Sequence, residues 1–424
     1  MREMKDSGIE WIGQIPKRWQ LRRAKTLFTQ RNSKGNRIEV LLSPTQKYGV
    51  VPQSQLEGVV QVKEDTDLQM FKTVHKGDFV ISLRSFQGGF EYSLYEGVCS
   101  PAYQVFYPTT PICDLYYRYL FKSQSFISKM NNLTVGIREG KNIQYIDFAN
   151  SQIPVPPIAE QERIAAFLDA ECAVIDAVLE KTRASIEEYK KLKQAVITQA
   201  VTKGVRGDRP MKDSGSIWFG EIPHNWTMKR IKYLFHIKKD IAGAEGHTVL
   251  SITQSGIKPK DLSKNEGQIA ANYSQYQLLA PGDFAMNHMD LLTGWVDISR
   301  YSGVTSPDYR VFVLDDTEKN DSSYYLYLMQ MCYFNRIFYG LGQGVSGMGR
   351  WRLQADKFLN FPVVIPPIEE QKEIASYLNA KCSAIDALIA KKQQYLAEIE
   401  NYKKSLIFEY VTGKKEVKTS VLAD

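Results

Sequence analysis

Two stretches of the chain carry apolar residues in alternating steps of four and three. Ile164, Leu168, Cys172, Ile175, Leu179, Thr182, Ile186, Tyr189, Lys193 and Val196 form the first register. Ile374, Leu378, Cys382, Ile385, Ile389, Lys392, Leu396, Ile399, Lys403 and Leu406 repeat the same steps. A sustained spacing near 3.5 residues marks a helix that buries one narrow seam against another helix. The pattern predicts two coiled-coil helices whose lengths and linker allow them to pair with each other, an antiparallel pair placing the two domains at opposite ends, with Thr182 and Lys193 as polar breaks able to set register. Each follows a proline pair (Pro156-Pro157 and Pro366-Pro367), which ends a strand-like run. Glu160-Gln161 and Glu369-Glu370 then fall in the first turn, where the helix dipole favours negative charge.

The two helices belong to a larger repeat. Pro156-Pro157-Ile158-Ala159-Glu160-Gln161 returns as Pro366-Pro367-Ile368-Glu369-Glu370-Gln371, and Ile175-Asp176-Ala177 as Ile385-Asp386-Ala387, both displaced by 210 residues. Met4-Lys5-Asp6-Ser7-Gly8 returns as Met211-Lys212-Asp213-Ser214-Gly215, displaced by 207. Between these ends, Leu42-Ser43-Pro44-Thr45-Gln46 answers to Leu250-Ser251-Ile252-Thr253-Gln254, Gly77-Asp78-Phe79 to Gly282-Asp283-Phe284, and Ser100-Pro101-Ala102-Tyr103 to Ser306-Pro307-Asp308-Tyr309. These segments are short, rich in β-branched and aromatic residues and bounded by Gly and Pro, so they predict strands and turns. Helical segments open at Tyr116 and Tyr324 and are expected to run to about Met130 and Phe338. The expected class is α+β: two similar mixed α/β domains (1–152 and 206–360) separated by two long antiparallel helices (153–205 and 361–413), with a flexible tail at 414–424.

Composition narrows the class. With 43% hydrophobic and 24% charged residues the chain is an ordinary globular one, and no uninterrupted apolar run reaches membrane-spanning length. The N-terminus has no apolar signal core, so a cytoplasmic location is expected. Five cysteines form no Cys-x-x-Cys pair, and Cys172 and Cys382 occupy seam positions, which suits buried small hydrophobes. The net charge of +7 is concentrated: residues 1–37 hold ten Lys/Arg against three Asp/Glu, and 211–239 hold six against two. Arg22-Arg23 and Lys229-Arg230 lie at equivalent positions of the two copies, which tilts a basic surface toward a polyanion ligand.

The copies part company in two loops. Ser82-Leu83-Arg84-Ser85-Phe86-Gln87 stands against Asn287-His288-Met289-Asp290-Leu291-Leu292, and Gly136–Lys141 against Gly340–Arg352. A kept frame with altered loops suits two sites of one type with different ligands, and ordinary drift of surface loops gives the same pattern. Enzyme signatures are missing. Gly342–Gly347 matches Gly-x-Gly-x-x-Gly, but no β run leads into it and the first copy has no counterpart. No Asn/Asp-Pro-Pro-aromatic motif of an amino-methyltransferase is present, the five histidines lack metal-ligand spacing, and Pro307-Asp308 reads as a surface acid because its equivalent is Ala102.

Taken together, the Pro-Pro-Ile-x-Glu-Gln start of each long helix, its Ile-Asp-Ala, the Ser-Gly-x-x-Trp-x-Gly-x-Ile-Pro-x-x-Trp opening of each half (Ser7–Trp19, Ser214–Trp226) and their duplication resemble the specificity subunit of Type I restriction-modification systems. The resemblance implies two target-recognition domains, each reading half of a split DNA sequence. It implies two modification subunits that use S-adenosylmethionine and two restriction subunits that use ATP and Mg²⁺, and no catalysis, cofactor or metal in this chain. Base-edge and phosphate candidates on that footing are Arg22, Arg23, Gln46, Ser82, Arg84, Gln87, Arg138 and Lys141 in the first domain. In the second they are Lys229, Arg230, Gln254, Asn287, His288, Arg350, Trp351 and Arg352. Gln46 and Gln254 are common to both copies and so equally suit a structural role. Candidate docking residues for the partner subunits are Glu160, Gln161, Glu187, Glu188, Lys190, Lys191, Glu370 and Gln371.

Overall fold

The computed structural model describes residues 2–34, 40–56, 68–82, 89–133, 143–264, 272–343 and 351–418. The chain forms two compact units, one of residues 1–183 with 394–424 and one of residues 184–393. The division falls inside both long helices, Ile158–Lys203 and Ile368–Val411, so each unit holds one mixed domain and a part of each helix. The compact units therefore cut across the separate helical segments expected at 153–205 and 361–413. The reason is packing: Leu168, Ile175 and Leu179 from one helix and Leu406 and Val411 from the other enter the same core as Trp19, Phe28 and Phe79.

Unit 1 is built on a four-stranded antiparallel sheet, in the order Phe28–Arg31, Gln104–Pro108, Phe79–Ile81, Phe90–Tyr92. Each strand buries an aromatic residue, and Phe28, Phe79, Phe106 and Phe121 meet edge-to-face, tilted or stacked at 5.2–6.1 Å between ring centroids. Unit 2 repeats the sheet with Phe235–Lys238, Arg310–Leu314, Phe284–Met286 and Val296–Ile298, again around Phe235, Phe284 and Phe312. The shared Gly-Asp-Phe supplies an anchor. Asp78 is buried and accepts from Arg31 at 2.7 and 3.0 Å, and Asp283 accepts from Lys238 at 2.7 Å, so each sheet is pinned by one inward ion pair.

The opening motif of each half forms a small hairpin, Met4–Asp6 with Gln14–Pro16 and Met211–Asp213 with Glu221–Pro223. Gly8 and Gly215 turn it at φ +66° and +70°, a conformation that disfavours side chains. The helical segment expected from Tyr116 to Met130 is two helices, Asp114–Lys122 and Gln124–Leu133, because the backbone of Ser123 is extended. In unit 2 the break falls at Arg336, φ +58°, between Ser322–Phe334 and Ile337–Gly340.

The seam lies where the spacing puts it, with Ile164, Leu168, Cys172, Ile175, Leu179 and Ile186 buried, as are Ile374, Leu378, Cys382, Ile385 and Leu406. Ion pairs fix the antiparallel direction within each unit. Asp176 takes Lys403 at 2.6 Å and Arg183 meets Glu400 at 2.5 Å in unit 1, while Lys193 bonds Asp386 at 2.7 Å and Arg206 meets Glu373 at 2.9 Å in unit 2. The seam lysines thus take the Asp of each Ile-Asp-Ala, and polar pairing at seam positions specifies register. The repeated Val-Thr at each helix end ties that end to its unit's core. Tyr116 donates to the Val411 carbonyl at 2.7 Å, and Tyr324 donates to that of Val201 at 3.2 Å. Of the tail expected to be flexible, residues 414–418 are described, and Val417 is buried in the unit 1 core, which removes them from a free tail.

Candidate nucleic-acid interface

The docking candidates divide into two groups. Glu160, Gln161, Glu370 and Gln371 are buried, at 4%, 2%, 0% and 0% exposure, and are corrected from docking surface to internal fastening. Gln161 accepts from the Cys113 N–H at 2.9 Å and donates to the Pro156 carbonyl at 2.8 Å; Gln371 accepts from the Asp321 N–H and donates to the Pro366 carbonyl, both at 2.9 Å. Glu160 pairs with Arg2 and accepts from the Trp19 indole at 3.0 Å, while Glu370 pairs with Arg209. In both units the arginine also lies over the tryptophan, 5.2 Å from Trp19 and 5.3 Å from Trp226. Glu187, Glu188, Lys190 and Lys191 are exposed on the first long helix, with Lys190 bonded to Glu187 at 2.7 Å.

Each unit carries an open cavity at the edge of its sheet, next to the first divergent loop. In unit 1 it measures about 320 Å³ and is lined by Gln30, Lys72, Ser82, Ala102, Gln104 and Gln144. In unit 2 it measures about 470 Å³, with Thr253, Lys260, Tyr276, Asn287, Asp290 and Asp308 among its lining. Ser82 and Asn287 occupy equivalent positions, each one residue past a buried strand, and each backbone N–H bonds across the loop, Ser82 to Gly89 at 2.8 Å and Asn287 to Trp295 at 2.9 Å. Arg84, Gln87, Arg138, Lys141 and Arg350 lie outside the described residues, as does most of Gly342–Gly347.

The second divergent loop is clasped at its base by one polar side chain in each unit. Gln104 donates to Gln144 at 3.2 Å and accepts from the Tyr145 N–H at 2.6 Å, while Arg310, its equivalent, donates to the Leu353 carbonyl at 2.9 Å. Burial pushes the Arg310 guanidinium down to about 10, so it stays charged, and it lies 5.0 Å over the Phe358 ring. It stands near His288, whose imidazole burial first, and the charges of Arg310 and Arg352 second, push down to about 3. His288 is therefore neutral and offers no charge to a phosphate. Its Nδ1 is buried with no hydrogen-bond partner among the described residues.

The other candidates are placed as follows. Gln254 donates to the Thr293 carbonyl at 3.2 Å, which ties one turn of unit 2 to its first divergent loop. The Gln46 carbonyl accepts from Lys122 at 3.3 Å, and Lys122 also bonds the buried Glu91 at 2.6 Å. Trp351 donates to the Tyr339 carbonyl at 2.6 Å and leans on the Tyr339 ring, so it packs within unit 2. Arg352 is exposed, its backbone paired with Gln343. Arg22, Arg23, Lys229 and Arg230 lie on or beside the strand that leads to the Pro-Pro segment, and none of them lines either cavity. Sequence reasoning did not single out Lys72, Gln104, Gln277 or Arg310, and it set aside Asp308 as a surface acid. The last was visible as an Ala-to-Asp difference inside a matched turn.

The duplicated fold thus places a cavity in each unit, and the two share the matched positions Ser82/Asn287 and Ala102/Asp308 with different side chains. Among the described residues no group of His, Cys, Asp and Glu is placed to hold a metal ion, and no helix is long and apolar enough to cross a membrane. The sequence model of the Type I restriction modification DNA specificity domain matches residues 16–188 and 223–401. The chain is 25% identical to the Type I restriction enzyme MjaVIII specificity subunit of Methanocaldococcus jannaschii over 328 residues, covering 72% of this chain and 71% of that one. It is 24% identical to the putative type I restriction enzyme MjaX specificity subunit of the same organism over an alignment of 437 residues, 96% of each chain. A chain from a structure of the type I R-M system in complex assembly superposes with a TM-score of 0.69 at 14% identity, covering 95% of this chain and 99% of that one. The HsdS subunit of Thermoanaerobacter tengcongensis superposes at 0.50, also at 14% identity, covering 97% and 100%. The chain belongs to the Type I restriction-modification specificity subunit family, the DNA-recognition component of these systems and not the catalytic one.

Proposed function

We propose that the chain reads a bipartite DNA sequence, one half with each unit, and carries two modification and two restriction subunits to it in the cytoplasm. The observation that carries this reading is a pair of matched positions that differ in side chain and line a cavity in each unit, Ser82 and Ala102 in one and Asn287 and Asp308 in the other. Equivalent frames with different edges read different bases by the same geometry. Arg22, Arg23, Lys229 and Arg230 supply the sequence-independent attraction to phosphate. S-adenosylmethionine, ATP and Mg²⁺ serve the partners, which dock in part on the exposed Glu187, Glu188, Lys190 and Lys191.

The test is an exchange of residues 30–150 with the same segment of a relative of different specificity, followed by sequencing of methylated adenines in host DNA. One half of the target changes and the other stays. Change in both halves overturns the two-site reading. Methylation or cleavage by the purified chain alone, given S-adenosylmethionine, ATP and Mg²⁺, overturns the recognition role itself.

A further inference from the structure

The Ser-Pro-x-Tyr turn is held by the same backbone and serine bonds in the two units. The Tyr103 N–H bonds the Ser100 carbonyl at 3.1 Å, and the Tyr309 N–H bonds that of Ser306 at 3.0 Å. The hydroxyl of the leading serine accepts from the N–H of the third residue in both, at 3.4 Å from Ala102 and 3.2 Å from Asp308. A side chain from the neighbouring strand fastens the far end: Lys72 donates to the Tyr103 carbonyl at 2.6 Å, and Gln277 donates to that of Tyr309 at 2.9 Å and of Ser306 at 3.0 Å. The turn is thus a fixed bracket displaying one variable side chain, Ala102 or Asp308, at the cavity that also holds Ser82 or Asn287.

We propose that Asp308 is a specificity-determining residue of unit 2, accepting a hydrogen bond from the exocyclic amino group of a cytosine or adenine at the major-groove edge. This rests on the reading of the chain as a DNA-recognition subunit. An exposed carboxylate beside a duplex is repelled by phosphates and gains only where it meets an N–H donor. In the major groove that donor is the N4 amino group of cytosine or the N6 amino group of adenine, whereas guanine and thymine present acceptors at the corresponding edge. Asp308 therefore rejects guanine and thymine as much as it selects their partners. The second carboxylate lining the cavity, Asp290, is differently employed, accepting from the N–H groups of Leu292 and Thr293 at 3.0 Å within its own loop. In unit 1 the methyl group of Ala102 has no such requirement, so the two half-sites differ at the position this bracket faces.

The experiment uses the full chain assembled with its modification subunits and a duplex library randomised across both half-sites, with methylated products sequenced. The wild type selects cytosine or adenine at one position of the half assigned to unit 2. In Asp308→Ala that selection falls by about tenfold or more, the scale of one lost base-edge contact, while the other half and the salt dependence of binding stay. Asp308→Asn keeps an acceptor oxygen but adds an N–H donor, so the amino-bearing base is still accepted while discrimination against guanine and thymine is relaxed. Unchanged base preference in Asp308→Ala, a change in the unit 1 half, or loss of all binding overturns the assignment. A wild type that selects no bipartite sequence overturns the DNA reading and the assignment with it, whereas a bipartite wild type with an indifferent Asp308→Ala overturns the assignment alone.

Discussion

Glu91 is 2% exposed and meets Lys122 at 2.6 Å, with Lys122 in turn bonded to the Gln46 carbonyl. Burial raises its carboxyl to about 7 from an ordinary 4.5, outweighing the attraction of Lys122. A raised carboxylate acts on stability in the opposite sense to the usual salt-bridged one. Between pH 4.5 and 7 the folded unit holds a proton that the unfolded chain releases, so the stability it contributes is present below the lower value and lost as pH rises through the upper. Relative to Glu91→Gln, the wild type should lose on the order of 3 kcal/mol across that window, read as the difference between urea unfolding curves of the two proteins. A flat difference would show that Glu91 stays ionised throughout. His288 works the other way: held near 3, it contributes stability above 6.5 that is lost as pH falls.

At the scale of elements, the start of each long helix shows how a motif can be legible while its role is not. The helices and their seam follow from the 3.5-residue period alone, because period and burial are local to one element, whereas their antiparallel sense needs the cross-helix ion pairs. Glu160 and Gln161 look like first-turn residues facing water, and only the fold brings Trp19 and Cys113, distant in sequence, against them. The same holds for the cavities, where Lys72 and Tyr103 are joined by a bond that no spacing announces. Gln161→Ala orphans the Cys113 N–H and the Pro156 carbonyl, and a buried backbone group without a partner costs about 1–3 kcal/mol. The urea midpoint of unit 1 should fall accordingly with its slope unchanged, and Gln371→Ala should do the same to unit 2. Near-neutral effects in both would mean that water replaces the side chain and that the motif serves the surface after all.

At the scale of the whole molecule, the repeat offsets are the most informative feature. Displacements of 207 at the start of each half and 210 in the helices mean that each domain changed by only a few residues net while its loops were rewritten. Selection on loops with a fixed frame is what a two-site reader requires, and the number of helical residues between its sites then becomes a quantity that can be engineered. Lys193 with Asp386 fixes register inside residues 180–195 and their antiparallel counterpart, 384–399, and Lys403 with Asp176 fixes it just beyond one end. Inserting one heptad into both stretches keeps the seam in phase, whereas four residues would rotate it. Seven residues lengthen a helix by about 10.5 Å, close to three base pairs at ~3.4 Å each. If the helices set the spacer, the doubly extended chain should methylate a target whose two halves are unchanged and whose gap has grown by about three base pairs, measured by sequencing the modified sites. An altered half-site would instead place base reading in the helices, and an unaltered gap would leave the spacing to the partner subunits.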